Sequence, residues 1–219
     1  MNLDWSIVWQ SRGPLFEGAL VTILLTALTM LIAVPGGIVL ALMRGSRFKP
    51  VALFATGFVE LFRNIPLLLL VYWAFYVMPV LTGLGLPPFT TGLAALCLNV
   101  SAYNSETFRS GINSIRKGQS EAGLALGMSR SEVFRQIVLP QAWRRVLPIL
   151  ASTWVSLFKD TSLVSVIAVG ELAHTAMQIR SQSFRVLEML TAMAGIYWLM
   201  GYPQAKLVDW IHRKYGVRE

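Results

Sequence analysis

The chain has 219 residues, 55% hydrophobic and 14% charged, with a mean hydropathy of +0.58. Soluble domains run to about 25% charged residues, so a soluble enzyme is excluded and long apolar spans are expected. The net charge of +8 would suggest nucleic acid in a soluble protein, but here the cations lie between apolar runs and read as orientation signals, with no nucleic-acid partner.

The N-terminal stretch carries acidic Asp4 and no basic leader, so no cleavable signal peptide is expected. Nothing charged lies between Glu17 and Arg44, or between Arg63 and Glu106. Roughly 20 apolar residues cross the hydrocarbon core as a helix. Five spans are predicted, over residues 18–43, 51–78, 91–112, 146–167 and 189–205. Pro35 and Pro66 fall inside the first two, where neighbouring helices can satisfy a freed carbonyl. The lone cysteine, Cys97, sits in an apolar run and reads as a small buried residue, without a disulfide framework or a zinc site.

Lysines and arginines divide unevenly between the two sets of alternating segments, 14 against 3. The larger set belongs in the cytoplasm. That set includes the long basic stretch from Arg109 to Arg145 and the tail with Lys206, Arg213, Lys214 and Arg218. The expected topology is therefore N-terminus outside and C-terminus inside, which an odd number of spans satisfies.

Within the basic stretch, residues 121–128 read as a short helix with Gly127 near its end, where glycine accepts a left-handed backbone. Ser129 and Glu132 have capping-box spacing for a second helix, and Met128 with Val133 suits its hydrophobic staple. Pro140 is expected to stop or bend that helix. Leu124, Leu126, Val133, Phe134 and Ile137 give both short helices apolar faces, which a mere connector has little reason to present.

Glu121-Ala122-Gly123, then Gly127, then Ile137, Leu139 and Pro140 resembles the EAA loop of binding-protein-dependent ABC importer permeases. The spacing fits throughout. Gly123 stands where the family has a third alanine, a change that should loosen the helix by about 1 kcal/mol. Residues 60–67, Glu60 to Leu67, and 159–163, Lys159 to Leu163, are similar to the polar amino-acid (His/Glu/Gln/Arg) branch. The resemblance covers nearly the whole chain. It implies an all-α, five-span, type I (MetI-like) permease fold in a single domain over 1–219, with a cytoplasmic coupling loop at about 116–143.

The resemblance further implies a multi-pass protein of the bacterial inner membrane. Its partners would be an ABC ATPase dimer, a second permease subunit (identical or homologous), a periplasmic solute-binding protein and membrane lipid. Glu121, Ala122, Gly123, Gly127, Ile137, Leu139 and Pro140 would couple to the ATPase. No Gly-x-x-x-x-Gly-Lys-Ser/Thr run cradles phosphates here. The chain is thus expected to hold no cofactor and no catalytic or metal site, with ATP and Mg on the partner ATPase.

Glu60, Arg63, Glu106, Lys159 and Asp160 are charges inside predicted spans, and such charges face a cavity or a counter-charge. Counted at about 1.5 Å per residue, the two glutamates come near the midplane, with the cations about a turn above. Glu60 can pair with Arg63 on one helix face, and Glu106 is the expected partner of Lys159. The five charges read either as a structural ion network or as a solute path or gate in which Thr161 and Ser162 add neutral hydrogen bonds. An amino acid carries both charge signs, so a site with both neutralises both of its ends. His174 and His212 lack ligand neighbours and read as surface residues. Residues 170–185 suggest an amphipathic external helix, and the tail from Trp210 to Tyr215 an interfacial anchor. Two other functions remain open: a non-conducting membrane assembly or signalling subunit, and an ion-coupled secondary transporter. The second is disfavoured by the lack of an internal repeat.

Overall fold

The computed structural model describes residues 3–215, so Arg218 of the tail lies outside the described residues. The order is α1 (Ser6–Gln10), α2 (Arg12–Arg44), α3 (Lys49–Asn64), α4 (Leu67–Tyr72), a π-helical stretch (Trp73–Val77), α5 (Met78–Thr82) and α6 (Pro88–Asn113). There follow α7 (Lys117–Ala125), α8 (Arg130–Glu132), a second π-helical stretch (Val133–Val138), α9 (Leu139–Asp160), a 3-10 turn (Thr161–Ile167), α10 (Leu172–Ser183) and α11 (Val186–Tyr215). No strand occurs among the described residues.

The helix α2 runs unbroken through Pro35 for 33 residues, roughly 50 Å at the usual rise. Thr22, Thr26, Thr29, Ala33 and Gly37 recur on its buried face at helical spacing, and most of that face packs on α6. Lipid tails are as apolar as leucine, so van der Waals packing of small residues draws such helices together in place of hydrophobic burial. Gly37 shows how close the approach is: a Cβ there would lie 2.5 Å from the Cβ of Asn104. Leu25, Ala33, Leu96, Val100, Leu157 and Ile167 continue the core across α2, α6, α9 and the 3-10 turn. The opposite faces are apolar too, with Leu31 71% and Leu53 75% exposed, as a lipid-facing surface requires.

The predicted second span is broken at its middle. α3 and the α4–α5 segment meet at 106°. Ile65, just before Pro66, takes an extended conformation with ψ 129°, because proline Cδ disfavours helical geometry at the preceding residue. Span-long helicity thus fails here, although the freed carbonyls do find side chains on a neighbour. Asn99 Nδ2 donates to Phe62 O at 2.8 Å, and Tyr103 Oη donates to Arg63 O at 3.2 Å.

Among the described residues, α2 is one helix long and apolar enough to cross a membrane, and counting each bent pair as one span gives up to three. α6 carries Asn99, Ser101, Asn104 and Ser105, all buried.

The α10 helix, expected to lie on the bundle or on the outer leaflet, packs on the bundle against α2 and α11. His174 is not the free surface residue expected: its ring Nδ1 lies 3.2 Å from Ser165 O in a half-buried setting. No cluster of metal-ligating side chains occurs among the described residues.

Candidate functional site

The predicted coupling loop is built locally. α7 ends in a Schellman motif, with Met128 N donating to Gly123 O at 3.1 Å and Gly127 N to Leu124 O at 3.0 Å. Gly127 has φ +84°, the left-handed backbone expected of it. Ser129 and Glu132 form the full capping box: the Ser129 N–H and hydroxyl each donate to the Glu132 carboxylate at 2.8 Å, and Glu132 N donates back to Ser129 Oγ at 3.3 Å. The backbone bond and then the hydroxyl hold the Glu132 carboxyl below its ordinary range. Met128 joins Ile115, Val133, Val138 and Ala142 in a small core under the loop.

Two expectations change. Pro140 does not stop its helix: Val133–Val138 winds as π-helix just before it, and α9 runs on from Leu139 to Asp160. The wider turn absorbs the missing donor, and Gln141 Nε2 donates to Ile137 O at 2.9 Å. Gly123 is not merely a looser alanine. A Cβ there would stand 2.7 Å from Ile137 Cδ1 and 2.9 Å from Val133 Cγ2, so glycine lets α7 lie against the second short helix. Glu121, Ala122, Leu139 and Pro140 are exposed, Ile137 is half-buried, and Leu126 projects with 83% exposure beside the Gly127 turn. At the loop's base, Arg145 Nη1 donates to Ser114 O at 2.7 Å, tying α9 to the end of α6.

The predicted intramembrane charges do not form one network. Glu106 is held by Arg44 at 2.7 Å and by Arg109, with Arg63 farther off at 3.9 Å. Glu60 reaches Arg44 at 4.0 Å rather than Arg63; Asn64 Nδ2 donates to its backbone carbonyl at 2.7 Å. The expected Glu60–Arg63 and Glu106–Lys159 pairs are therefore absent among the described residues. Glu60, Arg63 and Glu106 gather with Arg44 and Arg109 toward the C-terminal ends of α2, α3 and α6.

Arg63 and Asp160 instead line one cavity of about 570 Å³, together with Asn64, Asn99, Tyr103, Ser152, Thr153 and Ser156. Lys159, one residue along, turns to a separate and largely apolar cavity of about 660 Å³ with Ser162, Trp198 and Tyr202. Adjacent helical residues face different directions, so the two charges divide. Thr161 is buried, donating its hydroxyl to Phe158 O at 2.8 Å, while Ser162 Oγ donates to Lys159 O at 2.7 Å. Both hydroxyls are spent on local backbone.

Sequence reasoning passed over three residues. Arg44, counted only as a topology charge, is the hub of the Glu106 cluster. Glu171 is fully buried. It caps α10 by accepting from Ala173 N and His174 N at 2.9 and 2.7 Å, and takes Tyr197 Oη at 2.8 Å and Thr22 Oγ1 at 3.4 Å. An acid just before an apolar helical run is the N-cap signal that would have found it. Glu188, also buried, accepts from Asp4 N at 2.9 Å and pairs with Arg185 at 3.6 Å, fastening the N-terminal stretch to α11.

Comparison with known proteins agrees with this architecture. Residues 33–217 match the family described as binding-protein-dependent transport system inner membrane component. The chain is 35% identical to the glutamate/aspartate import permease protein GltK of Escherichia coli O6:H1, over 97% of this chain and 98% of that protein. It is 36% identical to the glutamine transport system permease protein GlnP of Escherichia coli K12, over 91% and 92%. A solved amino acid ABC transporter with histidines superposes with a TM-score of 0.92 at 33% identity, over 98% of this chain and all of that one. The chain belongs to the binding-protein-dependent transport system inner membrane components, with the all-helical MetI-like permease fold, among that family's amino-acid ABC permeases.

Proposed function

We propose that this chain conducts a polar amino acid inward across the bacterial inner membrane, between itself and a second permease subunit. A periplasmic binding protein delivers the solute, and a separate ATPase dimer, which holds ATP and Mg, docks on residues 116–143. The chain crosses the membrane five times, with its N-terminus outside and the coupling loop inside. Leu126 and Leu124, both exposed on that loop, are the apolar contacts that an ATPase groove would cover.

The observation that carries the reading is the cavity lined by Arg63 and Asp160. A cation and a carboxylate on one cavity match the two ends of a zwitterion, and intramembrane charges that face a cavity mark solute paths. Glu60 and Glu106 act at one remove, as the cluster beside the cavity, and Lys159 stands outside it. The test is ATP-driven uptake into proteoliposomes holding the complete transporter and its binding protein, with L-glutamate, L-glutamine, L-arginine and L-histidine offered separately. Saturable uptake of at least one is expected, and uptake of none refutes the assignment. Topology is checked by a cysteine at Ser131, which should resist an impermeant thiol reagent applied outside intact cells.

A further inference from the structure

We infer that Arg63 takes the solute's carboxylate, and that it does so by giving up its contact with Glu106. The inference rests on the cavity being the solute path.

Three observations single out Arg63. It lines the cavity, where it is the sole cation among the described residues. Its one ion pair among the described residues is long, Nη1 to Glu106 Oε2 at 3.9 Å, beyond hydrogen-bond reach. Its Nε is buried without a hydrogen-bond partner among the described residues. A guanidinium has five donors in a planar fork that matches a carboxylate. Here that fork is oriented by the Tyr103 ring, 5.5 Å from Cζ, and is nearly unspent. Glu106 does not need Arg63, since Arg44 and Arg109 already hold its oxygens. The exchange therefore costs Glu106 little and gives Arg63 the bidentate partner that it lacks.

The same exchange connects the cavity to the coupling loop. Glu106 and Arg109 lie on the last turns of α6, and α6 leads within four residues into α7. Releasing Arg63 leaves Glu106 to Arg44 and Arg109 alone, so a filled cavity and an empty one differ in charge balance at the root of the loop.

The test uses the complete permease–ATPase complex in nanodiscs without the binding protein, so that the binding protein's own selectivity does not enter. The probe is whichever of L-glutamate, L-glutamine, L-arginine or L-histidine the wild-type transporter imports, and its α-carboxamide is the comparison ligand. Wild type should bind the amino acid at least about tenfold more tightly than the α-amide, the loss expected when a charged hydrogen-bond partner is removed. Arg63→Gln should abolish that discrimination. Arg63→Lys, which keeps the charge but not the fork, should fall between. If Arg63→Gln fails to assemble, Arg63→Lys carries the test alone. Equal binding of amino acid and α-amide to wild type, no saturable binding to wild type, or unchanged discrimination in Arg63→Lys with assembly intact would each overturn the assignment. Import of none of the four amino acids would instead remove the reading on which it rests.

Discussion

Glu106 and Glu171 are both carboxylates inside the helical bundle, and they are held in opposite ways. Glu106 sits among three arginines on α2, α3 and α6, partly open to the outside. Glu171 is sealed, and neutral donors satisfy it: two backbone N–H groups, a tyrosine and a threonine. A cluster with several cations can trade partners, since losing one contact leaves the others. A carboxylate satisfied by neutral donors in a sealed pocket has no spare partner, and it locks α2, α10 and α11 in one arrangement. The molecule thus has an adaptable electrostatic knot next to the cavity and a fixed one at the α10 corner.

Replacing Glu171 should have the largest effect. Glu171→Leu strands the Tyr197 hydroxyl and the first amides of α10, at about 1–3 kcal/mol per buried orphan, so a total loss of about 3–5 kcal/mol is expected. Thermal unfolding of the assembled complex reads it, and a loss below that of Arg44→Met would invert the contrast between the two knots. Arg44→Met should cost about 2–3 kcal/mol, less than the loss of one partner in a fully buried pair, because Arg109 and Arg63 remain to neutralise Glu106. Adding Glu106→Gln should deepen that loss, because Arg63 and Arg109 then lose the carboxylate that they share, and a double mutant as stable as Arg44→Met would show that the knot is not a charge cluster at all. The smallest effect belongs to Tyr197→Phe, about 1 kcal/mol for one hydrogen bond among several. A larger penalty there would make Tyr197, rather than the α10 cap, the principal anchor of Glu171.

The capping box at Ser129 and Glu132 and the left-handed Gly127 were legible in the sequence, since both depend on neighbours within five positions. The reason for Gly123 was not legible, because the atoms that would collide with a Cβ come from Val133 and Ile137, ten and more positions away. The charges inside the spans show the same limit at longer range. Their presence and cost could be read from the sequence, but the partners of Glu106 include Arg44, 62 residues away. Which arginine reaches which glutamate is set by how α2, α3 and α6 cross, and no spacing rule encodes that.

Composition and the long uncharged runs were enough to specify a chain of apolar helical spans, because helical backbone satisfies its own hydrogen bonds in lipid, whereas the permease reading came from the resemblance of residues 121–140, 60–67 and 159–163 to a known family. The motif spacing was enough to mark residues 121–140 as one local unit. Only the tertiary structure decided that Pro66 turns the second span by 106°, that Arg63 and Asp160 share a cavity while Lys159 faces away, and that Glu171 is a buried tie. Local backbone preferences act over a few residues and are written in the order of the chain. Cavities and ion pairs arise where helices distant in sequence meet, and they depend on crossing angles and side-chain directions that the order of the chain does not state.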